Sequence, residues 1–261
     1  MQFDNIENSG ELKLYLDSPF TYKASITTFY HYTKLDSLAE IFHGSSLRFS
    51  PLEIMNDKIE DEQFGKFCDK KFFCLMASKT DSFGMWAMYG GITKKRKDIE
   101  ANPGEINVKI CFPTQTVKNL CQQGVTPRLV AYADFAGVYK DSTPLGEEEY
   151  FYRCGTKKTK GSFKCDKQKF AGYLKDLAWR YESELRLCCD KNNPNDNAAV
   201  NKPFNSDFLK DLKVIPSPLI SKIECEKKFR EVLKKKNYKL DIDISQLFES
   251  NFYADRIRIK E

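Results

Sequence analysis

The stretch WRYESELRL (179–187) sets two carboxylates, Glu182 and Glu184, one residue apart, with Arg186 two positions further on. Carboxylates serve as proton donors and acceptors and as fixed anions beside a forming cation. Residues two apart share one face if the backbone is extended. From spacing alone the pair also fits two solvated acids at a strand edge, with Arg186 as a cross-face ion pair worth about 0–1 kcal/mol. Four further places carry side chains able to bind or react. They are FYHYT (29–33) with His31 and Tyr32, LRFSP (47–51) with Ser50, IMND (54–57) with Asn56 and Asp57, and MWAMYGG (85–91) with Trp86 and Tyr89. Three of these have a plainer alternative. His31, between two tyrosines, also fits a core histidine held by a backbone carbonyl. Trp86 and Tyr89 are three apart and fit core packing on a helix face, and Asn56-Asp57 fits a simple turn.

The elements that must position these groups are legible from periodicity. ITTFYHYT (26–33) is rich in β-branched and aromatic residues and predicts a strand. In the segment that follows, Leu35, Leu38, Ile41 and Phe42 fall at helical spacing, with Thr33 as N-cap and Gly44 as the stop. SSLRFS, KFFCLMAS (71–78), EINVKICFP, RLVAYADF and ELRLCCD predict further strands. EKKFREVLKKKN predicts a helix, ADRIRIK a last strand, and GELKLYLDS a weak helix within a leading segment, 1–25. PLEIMNDKIEDEQF is expected to be an acidic connection. Strands outnumber helices and no β-α-β repetition is visible, so the pattern predicts an α+β fold with a largely antiparallel or mixed sheet.

Composition bounds the function. The 261 residues are 41% hydrophobic and 13% aromatic, the profile of a folded globule with one sizeable core. No apolar run approaches the roughly 20 residues of a membrane span, and MQFDNIENSG lacks the pattern of a secretory signal. Nine cysteines without a C-x-x-C pair predict free thiols in a reducing cytoplasm. With two histidines and no clustered Cys/His spacing, no metal is expected. The net charge of +5 permits an acidic partner without requiring one. Two lysine-rich stretches, TKKRK (93–97) and RCGTKKTKGSFKCDKQK (153–169), fit solvated loops or phosphate contacts. The signposts of Rossmann, P-loop, serine-hydrolase and HExxH metalloprotease chemistry are absent.

Taken together, the separated segments resemble a bacterial family, domain of unknown function 2971. Its pattern runs through a His-Tyr-Thr/Ser strand, an Asn-Asp-Pro-x-Glu turn, a Met-Trp-x-x-Tyr segment and a Lys…Trp-x-Tyr-Glu-x-Glu-x-Arg block. His31-Tyr32-Thr33, Asn56-Asp57, Met85-Trp86, Tyr89, Lys175, Trp179, Tyr181, Glu182, Glu184 and Arg186 match it, from about residue 29 onward. Lys58 and Ile59 depart from the turn, and a histidine after the Met-Trp-x-x-Tyr segment is missing.

That family is similar to the ADP-ribosyltransferases of His-Tyr-Glu type. The resemblance implies a split β-sandwich of two small mixed or antiparallel sheets with a few flanking helices, one domain over 26–261, and NAD as substrate. It implies that Glu184 stabilises the oxocarbenium-like ribose as nicotinamide leaves and holds its 2′-hydroxyl. Glu182 would orient or deprotonate the nucleophile. His31, with Tyr32 beside it, would hold the adenosine ribose. Tyr89 would stack on nicotinamide, Trp86 would wall the pocket, and Ser50 would position the nicotinamide ribose. The implied acceptor is a macromolecule, protein or nucleic acid, and the lifestyle of related enzymes suggests phage defence or a toxin. The rivals are an NAD glycohydrolase, a non-catalytic nucleotide sensor with the same fold, and a basic nucleic-acid-binding protein with structural glutamates.

Overall fold

The computed structural model describes residues 27–77, 82–89, 107–133, 149–154, 161–166, 171–193, 195–218, 222–233 and 241–242. The expected leading helix, TKKRK, ADRIRIK and most of the lysine-rich 153–169 stretch lie outside them. In chain order the elements begin with β1 (Thr28–Lys34), α1 (Leu35–Gly44), β2 (Ser46–Phe49), α2 (Lys58–Phe64), β3 (Lys70–Met76), α3 (Phe83–Tyr89), β4 (Asn107–Pro113) and α4 (Thr114–Gln122). Then come β5 (Thr126–Leu129), β6 (Ala131–Ala133), β7 (Glu149–Cys154), β8 (Gly161–Asp166), β9 (Leu174–Asp176) and β10 (Glu184–Asp190). The last are β11 (Val200–Pro203), β12 (Lys213–Pro216), α5 (Lys222–Leu233) and β13 (Asp241–Ile242), and short 3-10 turns occupy Leu52–Ile54, Gly65–Phe67, Leu177–Glu182 and Ser206–Asp211. The protein is α+β, and antiparallel pairings predominate among these strands. No helix among the described residues is long and apolar enough to cross a membrane.

Packing groups the chain into two compact units. The first takes the described residues of 48–75 and 124–201, and the second those of 26–47, 76–123 and 202–261. In the first unit the strands run β3-β10-β5, with Leu185 opposite Leu129 and Arg186 opposite Arg128 in antiparallel register. β6 pairs in parallel with β9, and β7 with β8 as an antiparallel hairpin. Strand β10 is buried on both faces. Leu185 and Leu187 lie on one side, and Glu184, Arg186 and Cys188 on the other. A strand reading Glu-Leu-Arg-Leu would ordinarily turn its charged face to water, so this face needs internal partners.

Helix α2 corrects the expectation of a polar connection. Asp57 caps it, its Oδ1 accepting from the N–H groups of Ile59 at 3.1 Å and Glu60 at 3.0 Å. Glu60 and Asp61 in the first turn suit the positive end of the helix dipole. Acidic composition there marks a helix start and not a loop.

The second unit orders its strands β13-β12-β4-β1. β1 and β4 pair over seven residues without a bulge, from Thr28 opposite Pro113 to Lys34 opposite Asn107. Helix α1 buries Leu35, Leu38, Ala39, Ile41 and Phe42, the stripe its spacing predicts, and Phe42 meets Phe229 of α5 edge-on at 5.7 Å. Its ends differ from expectation. Lys34 stands at the N-cap without a side-chain cap, and the left-handed residue that stops the helix is Ser45, one past Gly44. Phe83–Tyr89 is a helix, as the three-residue spacing of Trp86 and Tyr89 allows.

Candidate functional site

Lys175, on β9, gathers the two glutamates. Its Nζ donates to Glu182 Oε2 at 2.6 Å and to Glu184 Oε2 at 3.3 Å. The acids reach one ammonium because of the chain between them. Leu177–Glu182 is a 3-10 turn opened by Asp176, whose carboxylate accepts from the Ala178 N–H at 2.8 Å. Ser183 then takes φ 42°, ψ 54°, a left-handed conformation that costs a residue with a side chain about 1–2 kcal/mol. Glu182 is thus not on the strand, and the shared face of an extended segment is not what brings the pair together. The left-handed turn is.

Arg186 completes the cluster. Its Nε donates to Glu184 Oε1 at 3.0 Å and Nη2 to Glu184 Oε2 at 3.1 Å. Nη1 and Nη2 hold Glu60 in a fork at 2.6 and 2.8 Å, and Nη1 also reaches the Gly172 carbonyl at 2.7 Å. All five guanidinium N–H groups are used. The Glu184 N–H donates to the Tyr132 phenol at 2.9 Å, and the Cys74 thiol bonds its carboxylate. Glu182 and Glu184 are 4% exposed and Arg186 is 0% exposed. The solvated-edge alternative for the pair therefore fails, and its small energy with it. Removing one partner of a buried pair costs about 3–5 kcal/mol.

Electrostatics divide the acids. Burial alone would raise the Glu184 carboxyl, but Arg186 and Lys175 pull it down to about 2. At Glu60 burial outweighs Arg186, and the carboxyl is raised. Burial opposes the Lys175 ammonium, yet Glu184 and Glu182 hold it well above its ordinary value. Burial pushes the Cys74 thiol up, so it is a neutral donor and not a nucleophilic thiolate. At neutral pH the cluster holds the Glu184 carboxylate ionised, fixed by Arg186, Lys175 and Cys74 in a dry site. Among the described residues no group of His, Cys, Asp and Glu forms a metal site.

At the rim of this cluster lie two rings. Lys175 Nζ sits 4.8 Å from the centre of the Trp179 ring, and Tyr181 lies 6.1 Å from Trp179 at an interplanar angle of 32°. Ser50, also in the first unit, is half-buried. Its backbone exchanges both hydrogen bonds with Phe72, whose ring lies 5.1 Å under the Arg186 guanidinium.

The remaining sequence candidates belong to the second unit. Tyr32 and Trp86 meet edge-on at 4.9 Å within a core of Met76, Met85, Cys111 and Ile215, with Tyr89 packed against it. Trp86 is 0% exposed, so packing accounts for its whole ring. His31 is half-buried and, as the strand neighbour of Tyr32, faces the other side of β1. His31 and Tyr32 therefore cannot serve one face together. Sequence reasoning named Arg186 only as a cross-face ion pair and gave Lys175 and Glu60 no role, although Lys175 belongs to the quoted block. Glu60 follows Asp57 by three, the spacing of a capped first turn, and that was the available signal.

No protein-family model and no curated protein matches the sequence. The resemblance to domain of unknown function 2971 therefore stands on the quoted residues alone. Among solved structures, one described as Thermus sp. 2.9 DarT in complex with NAD+ matches at 12% identity and a TM-score of 0.38, over 87% of this chain and 99% of that one. At that score and identity the likeness carries no part of the functional argument.

Proposed function

We propose that this protein binds NAD, breaks the bond between nicotinamide and ribose, and passes ADP-ribose to a macromolecular acceptor, protein or nucleic acid. The observation that supports it is the convergence of Glu182 and Glu184 on one ammonium, with Glu184 held ionised by Arg186. Nicotinamide in NAD is already positively charged and leaves readily, and its departure puts an oxocarbenium-like charge on the ribose. A fixed anion in a water-poor site stabilises that charge without having to reorganise. Glu184 supplies the anion. Its 3.3 Å contact with Lys175 is the longest of its charged contacts and the one a ribose hydroxyl would displace. Glu182 orients or deprotonates the nucleophile. With water in that place the same site is an NAD glycohydrolase. This part of the reading rests within the first unit. The assignments of His31, Tyr32, Trp86 and Tyr89 to NAD rest on the resemblance alone.

A second reading has its own support. Every N–H of Arg186 is engaged and both Glu184 oxygens already accept, as in a cluster built to hold a fold. That favours a nucleotide-binding module that does not turn over. The experiment that separates them follows nicotinamide release from NAD by wild type and by Glu184→Gln, with near-ultraviolet dichroism as the folding control. Catalysis predicts a fall of about 100-fold or more in a folded variant. Release unchanged in Glu184→Gln sinks the assignment. No release by wild type, with a melting temperature raised by NAD, supports the binding module.

A further inference from the structure

We infer that Trp179, Tyr181 and Asp57 form a subsite for a planar heteroaromatic ring bearing an N–H donor, the chemistry shared by the carboxamide of nicotinamide and the amine of adenine. The inference deepens the reading above by saying how a ring is held, and it can fail separately from bond cleavage.

An incoming ring needs an aromatic face that is not already spent on packing. The protein has two tryptophans. Trp86 is fully buried in the core of the second unit, whereas Trp179 is half-buried and Tyr181 is 37% exposed. Both exposed rings come from a single short 3-10 turn, Leu177–Glu182, anchored at one end by the Asp176 cap and at the other by the buried Glu182. The Lys175 ammonium lies over the indole and is itself pinned by two carboxylates. The shelf is therefore rigid, and a ring that lands on it loses little to ordering the protein. Aromatic faces that are rigid and wet are the usual platform for stacked heterocycles.

Asp57 supplies the second observation. It is 4% exposed, and its Oδ1 is occupied by the α2 cap. Its Oδ2 is buried with no hydrogen-bond partner. A buried carboxylate oxygen without a donor is costly and calls for an explanation. A ligand N–H satisfies it. Asp57 belongs to this place because the helix it caps packs on β9, the strand that leads into the turn, and carries Glu60 to Arg186.

The test uses the intrinsic fluorescence of the full chain, titrated separately with nicotinamide mononucleotide and adenosine monophosphate. The subsite predicts saturable quenching of the Trp179 emission by at least one of them. Saturation by the first identifies the nicotinamide ring, and by the second the adenine ring. Calorimetry then compares the effective probe on variants whose circular dichroism matches wild type. Trp179→Leu is expected to weaken binding at least 10-fold. Asp57→Asn, which keeps the cap but turns an amide N–H toward the donor, is expected to weaken it by a similar factor. Quenching that rises linearly with both probes, as chance collision gives, overturns the proposal. Wild-type affinity in Trp179→Leu also overturns it. Neither result bears on Glu184, whose test reads nicotinamide release.

Discussion

The two units bury their cations in different company. In the first, Arg186 and Lys175 face Glu60, Glu182 and Glu184, and each contact is a directed hydrogen bond. In the second, Lys109 lies 4.7 Å from the Tyr30 ring centre and 5.9 Å from those of Tyr32 and Trp86, within a cluster fixed by shape. A directed network fails when one member is lost, because the remaining charges stay buried without partners. A cluster of rings loses contact area in proportion to what is removed. The carboxylates of this contrast lie in the first unit, so acid acts there.

The largest effect is expected at Arg186. Replacing it with methionine keeps much of the volume but leaves Glu60 and Glu184 buried together, at a cost of about 3–5 kcal/mol. Urea unfolding at neutral pH measures it. A loss under about 1 kcal/mol would show that the cluster is no network and would erase the contrast between the units.

Acid comes next. The Glu184 carboxyl stands at about 2 in the folded protein against an ordinary 4.5, so its contribution is complete above pH 4.5 and is lost as pH falls toward 2. That contribution is on the order of 3 kcal/mol. Glu60 has the opposite sign. Its carboxyl is raised, so whatever it contributes is present below 4.5 and is lost as pH rises through its folded value. Stability measured from pH 5 down to pH 2 should therefore fall steeply in wild type and less steeply in Glu184→Gln. Equal slopes in the two proteins would show that Glu184 is not the acid-labile member.

A backbone position ties the network to packing. Gly172 has φ +79°, and its carbonyl accepts from Arg186 at 2.7 Å. A Cβ there would run into the Phe72 ring, on which the guanidinium rests. Gly172→Ala is expected to cost about 2 kcal/mol, from left-handed strain and overpacking together. The same unfolding assay reads it, and a neutral result would mean that Phe72 yields without disturbing Arg186.

These sites were legible to different degrees, for physical reasons. Helix α1 and strands β1 and β4 follow from side-chain spacing, which is local. The glutamate pair stands out because two acids beside an apolar strand are costly unless something answers them. What answers them is not local: Glu60 meets Arg186 across 126 positions. The left-handed Ser183 was not legible either, since serine has no special preference for that conformation. Nor was helix α2, where capping acids resemble a polar loop. For the aromatic candidates, pattern alone could not separate buried Trp86 from half-exposed Trp179, because both sit in mixed apolar and polar surroundings.

The smallest effect tests the second unit where it is strained. Ser45 ends α1 with φ 44°, ψ 44°, the conformation that glycine usually supplies at this position. Its carbonyl accepts from the Phe204 N–H at 2.9 Å, a backbone bond that any residue retains. Ser45→Gly removes the side-chain strain but adds freedom to the unfolded chain, so the net gain is expected to be about 0.5 kcal/mol. The melting temperature should rise by roughly 1–2 °C for a chain of this size. Ser183 has nearly the same angles, φ 42° and ψ 54°, but stands between two buried carboxylates. There the same substitution loosens the hinge that aims both acids at Lys175, so a gain equal to that at Ser45 would mean the turn only connects the acids and does not position them.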